Sequence, residues 1–445
     1  MVTKRIGLLP TFEVGMPVGL QKFFEFLDLK IKHKGETYQF ACERLKVHPV
    51  DIRENIKEDW DLFVDRTTHW HKFIRAFVQH AIYDGVYVLN HPTTFNAINK
   101  HASFVMLERL GAKIPETVMI PQHTYVEPED YYIKKLQITP KMTQKKFEES
   151  MQMYYHYRDV WLPEMFKHHN ELFDFDAIPK KVGGYPFYLK PGQDGGGGSG
   201  VSKVDNPQEF HEKYAESEDR IMHAQEAVDF DLFCRCMGIG PQVHPMKYLP
   251  EEPIHRHYAE EPIELEDGLR QEIIDQVKIV NAFFRWEYNS YETLIKDGEL
   301  YPIDFANACP DSAITSLHVH FPWVLKALVR WTVFCAVTDR KMSFDLNQRE
   351  YLEKTAGREP KERLAVATQI AKDYFQEDQF REFANEHLSH LDEAFAEFHD
   401  KGLLDQVIVD EVRVSRFPKH EHESFISEYR DKVAYSVNNR LNEDW

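Results

Sequence analysis

Short apolar runs dominate the first two thirds of the chain, and helical spacing takes over in the last third. Residues 6–10 and 61–64 read as buried strands with a helix over 20–27 between them. Residues 86–89 read as a further strand after the turn-like Asp84-Gly85. A helix over 97–110 should end at Gly111, where glycine suits the left-handed residue that follows a helix. Residues 127–175, rich in Lys, Glu, Gln, Tyr and Met, predict a helical insertion of mostly polar surface. Strands are expected over 221–228 and 232–239, and a helix over 269–284. Residues 291–295 and 300–305 form a hairpin across a turn containing Asp297-Gly298. From Pro322 onward the pattern is almost wholly helical. Phe380, Phe383, Ala384, Leu388, Leu391, Phe395 and Phe398 recur there as a core-facing stripe. The class this predicts is α/β.

Residues 186–204 are the most informative stretch. An apolar run carries Lys190 and opens into a loop with Gly195, Gly196, Gly197, Gly198, Ser199 and Gly200. Residues 201–204 then alternate with period two, so a second strand is expected. Backbone so poor in Cβ atoms can close over phosphates and offer them N–H groups, with Lys190 as the matching charge. Gly195, Gly197 and Gly200 spell the dinucleotide fingerprint, but that motif opens a helix, whereas an extended run and Pro207 follow here. The phosphate-binding Walker pattern needs Lys-Ser or Lys-Thr after its last glycine, where Val201-Ser202 stand. The protein-kinase lysine follows its glycine loop, and Lys190 precedes this one. The ligand these residues predict is ATP.

Bulk composition narrows the partners. With 445 residues, 42% of them apolar and 29% charged, the chain has the make-up of an ordinary globular protein. Its formal charge of −19 disfavours nucleic acid and anionic membranes. The five cysteines contain no CxxC pair, so neither a disulfide framework nor a zinc site is indicated, and a cytoplasmic setting fits. The apolar run 6–9 is too short for a signal peptide.

A second constellation lies in the hairpin. Glu292 interrupts an apolar strand, Asp304 ends its neighbour, and Asn307 follows. Paired strands could gather these oxygen donors, a set that suits Mg²⁺ with open positions for water and phosphate. Upstream, Gln225-Glu226 ends a strand and runs through Val228 to Asp231, offering acceptors for an adenine amine and ribose hydroxyls. Arg235 sits inside an apolar run and needs an anionic partner, either a structural carboxylate or a substrate phosphoryl group.

Taken in order, Lys100 of Asn99-Lys100, Lys190 with its glycine loop, Gln225-Glu226-Ala227-Val228, Arg235, Glu292, Asp304 and Asn307 resemble the ATP-grasp superfamily. The likeness spans roughly residues 85–325 and is nearest to the carboxylate–amine ligase branch, similar to glutathione synthetases and ribosomal-protein glutamate ligases. It implies a Rossmann-like domain over 1–95, an ATP-grasp domain over 96–340 and a helical extension over 341–445. It further implies that Lys100 and Lys190 contact ATP phosphates beneath the glycine loop, with Glu226 and Asp231 holding adenosine. Glu292, Asp304 and Asn307 would bind magnesium. Asn99 stands where the family usually carries Asp, and Asp304 and Asn307 are three apart where many members space them by two.

The activity this implies is ADP-forming. A small-molecule or peptide carboxylate attacks the γ-phosphate, and an amine captures the acyl phosphate as an amide, with Arg235 and Lys190 as catalytic groups. Two alternatives stay open: a kinase phosphorylating a hydroxyl, and a noncatalytic nucleotide-binding scaffold. The helical tail caps a substrate cleft or forms a homodimer interface in these readings. His69-x-His71, His255-x-His257, His318-x-His320 and His420-x-His422 would each put two imidazoles on one strand face, but such spacings arise readily among 23 histidines. Lys247, Arg256 and His244 suit either a substrate carboxylate or plain solvation, and Cys309 reads as a small buried residue.

Overall fold

The structure is a computed structural model that describes residues 1–441 apart from 12, 67–70, 98–99, 167–173 and 193–199. Gly195 to Ser199, Asn99 and His69 therefore lie outside the described residues. The chain is a mixed α/β protein that divides into two compact units. The first comprises Met1–Ile98, Val105–Lys113 and Phe230–Trp445, and the second Asn99–Phe104 with Ile114–Asp229.

The first unit opens with a five-stranded sheet of β1 (Val2–Leu8), β2 (Lys30–His33), β3 (Glu36–Arg44), β4 (Leu62–Val64) and β5 (Tyr87–Leu89) in the order β2-β3-β1-β4-β5. β1 runs parallel to β3 and β4, and β4 parallel to β5, while β2 and β3 form an antiparallel pair. Strands covered on both faces read as unbroken apolar runs, which is why β4 and β5 are legible in three residues each. The helix Lys72–Tyr83 buries Ile74, Phe77, Val78, Ala81 and Ile82 against Phe63 and Val88.

The second unit is built on β6 (Thr117–Ile120), β7 (Phe187–Pro191), β8 (Ser202–Val204) and β9 (Met222–Glu226), all antiparallel in the order β6-β9-β7-β8. β8 is the expected strand beyond the glycine loop. Pro207 sits in the first turn of the helix Pro207–Ala215, capped by the Asn206 side chain, which accepts from the Glu209 N–H at 3.0 Å. The insertion is helical as anticipated, with helices Glu129–Gln137 and Gln144–His156 and a small core of Val126, Leu136, Met151, Tyr154 and Leu162.

The chain then returns to the first unit with β10 (Leu232–Ile239), β11 (Gln242–Lys247), β12 (Tyr288–Lys296) and β13 (Glu299–Asn307), antiparallel in the order β11-β10-β12-β13. Asp297 and Gly298 both take positive φ (51° and 74°), the turn geometry that matches strand twist in a two-residue hairpin. The helix Asp267–Phe284 covers one face so closely that a Cβ on Gly238 would lie 2.3 Å from Asn281 Nδ2. Among the described residues, β2, β3, β6, β11 and the helix Lys72–Tyr83 are elements with no counterpart in the sequence reading.

Six longer helices follow Phe321–Val337, and the apolar stripe falls on two of them, Glu377–His387 and Leu391–Asp400. All seven stripe residues are buried, but the chain breaks at 388–390 and restarts. Tail carboxylates meet partners far back in sequence. Glu411 accepts from the N–H groups of Val14 (2.8 Å) and Gly15 (2.5 Å) at the start of the helix Gly15–Leu27. Glu377 takes both carboxylate bonds, each 2.8 Å, from buried Lys278. Among the described residues no helix is long and apolar enough to cross a membrane.

The tie with the widest reach is Glu287, only 2% exposed. Its carboxylate accepts from Tyr87 Oη (2.6 Å), Tyr374 Oη (2.5 Å) and Trp331 Nε1 (2.8 Å), and lies 3.6 Å from Arg340. Glu287→Gln should lower unfolding free energy by about 3–5 kcal/mol, because Arg340 would stay buried without its counter-charge. Chemical denaturation measures this, and a loss below about 1 kcal/mol would mean that the charge itself contributes little.

Candidate functional site

Strand register divides the sheet of the second unit into two unlike faces. Residues directly opposite in an antiparallel pair share a face, and successive residues alternate. Phe187, Leu189, Met222 and Ala224 fall on one side and pack with Ile120, Ile178, Val182 and Phe210. Lys190 pairs with His223 and Tyr188 with Gln225, while Met119 and Thr117 pair with the same two β9 residues from β6. The second face is therefore polar at its centre, with Lys190, His223 and Gln225 all buried.

Hydrogen bonds order that face. Lys190 Nζ donates to Gln225 Oε1 at 2.5 Å, and Gln225 Nε2 donates to Thr117 Oγ1 at 2.8 Å, so the amide oxygen is aimed at the lysine. The ammonium also lies 5.0 Å from the Phe104 ring centroid. Lys100 begins the helix Lys100–Arg109, and its N–H donates to the Gly192 carbonyl at 3.0 Å, fastening that helix to the residue after β7. The backbone of Lys100 is thus tied to the residue after the strand that carries Lys190, and Lys190 to Gln225. Glu226 ends β9 and its Oε2 accepts from the Glu116 N–H at 3.1 Å, and Val228 is half-buried beyond the strand.

The centre of this face is a residue that sequence reasoning missed. His223 is 0% exposed, and neither ring nitrogen has a hydrogen-bond partner among the described residues. Its ring lies 5.3 Å from that of His101 and 5.9 Å from that of Phe104. Burial, then the charges of Lys190, His101 and Lys100, push the imidazole down to about 3, so it is neutral at ordinary pH. The signal for it was the alternation of β9, which puts His223 on the same side as Gln225.

The four-stranded sheet of the first unit carries the other residues. Arg235 pairs with Glu292 across β10 and β12, with Nε 3.4 Å from Oε1, and its guanidinium lies 5.4 and 5.6 Å from the rings of Tyr248 and Tyr258. Burial works against this charge, yet Tyr258, Glu292 and Tyr248 together hold it above the usual arginine range. A structural carboxylate is therefore present for Arg235. Asp311, three residues before the helix Ile314–Leu317, adds to the field at Arg235 and at Arg66, which is itself ion-paired to Glu13. Neither Asp311 nor Glu13 was singled out from sequence.

The unusual spacing of Asp304 and Asn307 has a geometric resolution. In a regular strand, residues three apart point to opposite faces. Here Glu292 pairs with Asp304 and Ser290 with Asn307, so Tyr291 of β12 opposes two residues of β13, Phe305 and Ala306, across a β-bulge. Ser290 and Glu292 share a face, and the bulge brings both partners to it. Asn307 Nδ2 donates to Ser290 Oγ at 2.8 Å, which leaves its carbonyl end for a cation. Two half-buried carboxylates and an amide oxygen form a donor set that fits Mg²⁺. Asp231 does different work: its Oδ2 accepts from the Asp297 N–H at 2.9 Å and braces the hairpin turn.

The remaining sequence candidates are structural. His255, His318, His320 and His420 sit in 3-10 turns, with His257 and His422 just beyond, so the paired histidines do not share strand faces. Among the described residues no cluster of three His, Cys, Asp or Glu is arranged to hold a metal. Lys247 is exposed, Arg256 lies 3.7 Å from Glu428, and His244 hydrogen-bonds His320 at 2.9 Å. Burial pushes the Cys309 thiol up to about 12, consistent with a buried residue and not a nucleophile.

No protein-family model and no curated protein matches the chain. Among solved structures it is similar to D-alanine–D-alanine ligase from Bacillus anthracis complexed with ATP, at 13% identity and TM-score 0.40, covering 84% of this chain and 99% of that one. It is also similar to a RimK domain protein ATP-grasp from Sphaerobacter thermophilus (12%, TM-score 0.41, 69% and 92% of the two chains). A third is L-amino acid ligase from Bacillus licheniformis (16%, TM-score 0.41, 72% and 70%). Likeness at this level adds nothing to the residue assignments.

His223→Leu is expected to leave stability unchanged or raise it by about 1–2 kcal/mol, because two buried, unpartnered polar atoms are removed at similar volume. A denaturant midpoint that falls by more than about 1 kcal/mol would instead show that the imidazole nitrogens are satisfied.

Proposed function

We propose that the chain is an ATP-dependent ligase of the ATP-grasp kind, joining a carboxylate to an amine and releasing ADP and phosphate. The observation that carries this reading is the convergence of Lys100 and Lys190, both buried, on one neutral imidazole. Both lysines act electrostatically on the same ring, so this face carries positive charge, and a triphosphate is an anion that such charge attracts. Gln225 fixes Lys190, and the backbone at the end of β9, with Glu226 and Val228 beyond, is suited to the adenine.

The chemistry follows from charge. A carboxylate oxygen attacks the γ-phosphorus and the bond to the β–γ bridging oxygen breaks, leaving ADP and an acyl phosphate. The free amine then attacks the acyl carbon, the C–O bond to phosphate breaks, and the amine proton goes to solvent or to phosphate. Lys100 and Lys190 offset charge on the phosphoryl oxygens, which is the main protein contribution in phosphoryl transfer. Glu292, Asp304 and Asn307 are the residues that would hold Mg²⁺, which when bound neutralises the phosphate oxygens. Arg235, steadied by Glu292 and two tyrosine rings, keeps a permanent positive charge for the transferred group or the acid.

With ATP, Mg²⁺, hydroxylamine and a panel of carboxylic acids, the purified chain should form a hydroxamate, the product only an acyl phosphate yields. Lys190→Ala and Asp304→Asn should each reduce it by about 10²-fold or more, and Arg235→Ala should depress turnover more than ATP affinity. ADP release without hydroxamate under every acid would point to a hydroxyl acceptor. Absence of any ADP release would overturn the ligase reading.

A further inference from the structure

The loop 310–313, just past the residues that suit Mg²⁺, is pinned from three directions. Arg66 donates to the Pro310 carbonyl, the Ser312 N–H donates to Glu13 Oε1 at 3.2 Å, and Ser312 Oγ lies 2.5 Å from Tyr288 Oη at the start of β12. The helix Ile314–Leu317 that follows packs against the turn Ile254–Arg256, which leads on to Tyr258 at the Arg235 guanidinium. Asp311 is thereby held in place, half-buried. Its Oδ1 accepts from the Ala313 N–H at 3.0 Å, whereas Oδ2 has no hydrogen-bond or ion-pair partner among the described residues. Neighbouring carboxylates are committed elsewhere: Glu13 is ion-paired to Arg66, Glu411 caps the helix Gly15–Leu27, and Glu292 faces Arg235. The charge of Asp311 acts on Arg235, Tyr248 and Tyr258 and also on Arg66 and Glu13. An amine that captures an acyl phosphate arrives at neutral pH largely as a cation, since such groups titrate at about 7.7–8.0 (α-amino) to about 10.4 (lysine-like). Arg235 repels that cation, and a fixed carboxylate with an open oxygen offsets the repulsion.

We propose that Asp311 receives the amine substrate, a primary ammonium compound: Oδ2 holds the incoming nitrogen and takes the proton that it sheds once joined to the acyl carbon. The ammonium is drawn to Oδ2 by a charge-assisted hydrogen bond and gives its first proton to solvent, leaving the nucleophilic lone pair. The nitrogen attacks the acyl carbon, the C–O bond to phosphate breaks, and phosphate leaves with that electron pair. Bond formation makes the nitrogen strongly acidic, so its second proton passes to Oδ2 and from there to solvent. The Ala313 N–H fixes Oδ1, and with it the direction in which Oδ2 points. Asp311 has this role only if the chain is the ligase proposed above.

The test compares two acceptors in the whole chain and in Asp311→Asn, which keeps an oxygen for the Ala313 N–H and removes the charge. Each protein is given ATP, Mg²⁺ and the acid of the panel that yields most hydroxamate. The acceptor is either hydroxylamine, which is mostly uncharged near pH 7, or one of glycine, L-alanine, L-lysine and ethylamine, whose amino groups are charged there. Amide formation should fall about tenfold or more further than hydroxamate formation in the variant. Equal falls in the two products overturn the role of Asp311. If the variant does not fold, the unaltered chain decides. Tetramethylammonium, a cation with no nucleophilic lone pair, should compete with the amine in amide formation, and neutral tert-butanol of similar size should not. Equal inhibition by the two overturns the assignment. Hydroxamate formed by a chain that joins no primary amine would leave acyl phosphate formation standing and remove the role of Asp311. If no acid gives hydroxamate, both readings fall.

Discussion

A single buried carboxylate, Glu287, stands at the crossing of the first unit. It precedes β12 directly and gathers a tyrosine from the strand β5, an indole from the helix Phe321–Val337 and a tyrosine from the helix Pro360–Phe375. Buried charge is tolerable only when paired and hydrogen-bonded, and here every contact also fixes the start of the strand that carries Glu292. Asn90, at the end of β5, adds a second clasp by donating to the carbonyls of Tyr288 and Ala308 and accepting from the Tyr288 N–H. The placement of the carboxylates on β12 and β13 therefore inherits its precision from buried polar groups outside that pair of strands.

The two four-stranded sheets solve opposite electrostatic problems. On one, cations are collected around a neutral ring and a fixed amide. On the other, carboxylates are collected around a guanidinium that two aromatic rings shield. Both depend on the same property of a strand: its two faces are independent, so one can be packed with Phe187, Leu189 and Ala224 while the other holds charge.

Much of this was legible before any coordinates. β10 lies over the residues its apolar run indicated, the hairpin turns at Asp297-Gly298, and β7 and β8 flank the glycine loop. Alternation and turn chemistry are local, so they survive in sequence. β2 and β3 escaped because Lys30, Lys32, Glu36, Glu43 and Arg44 give a charged pattern, the dress of strands with an exposed side. The bulge in β13 escaped for a different reason. Whether two residues oppose one is a property of the pair and not of either strand, so the spacing of Asp304 and Asn307 looked like a departure until their partners were known. His223 was hidden in plain alternation. A histidine in a strand is usually unremarked, and only the absence of partners for its nitrogens marks it out. Pairings such as Glu411 with Val14 and Gly15, nearly four hundred residues apart, leave no local trace.

That last pairing bears on how the chain is made. The first unit is discontinuous: β1–β5 precede the second unit, β10–β13 follow it, and the carboxylates that cap the helix Gly15–Leu27 and neutralise Lys278 come later still in the chain. The second unit is almost continuous and holds all its strands between β6 and β9. During translation the middle of the protein can therefore close first, and the flanking segments must wait for one another. A ribosome stalled in the helical tail would display a finished central piece joined to an open one, and chaperone demand should fall on the discontinuous first unit.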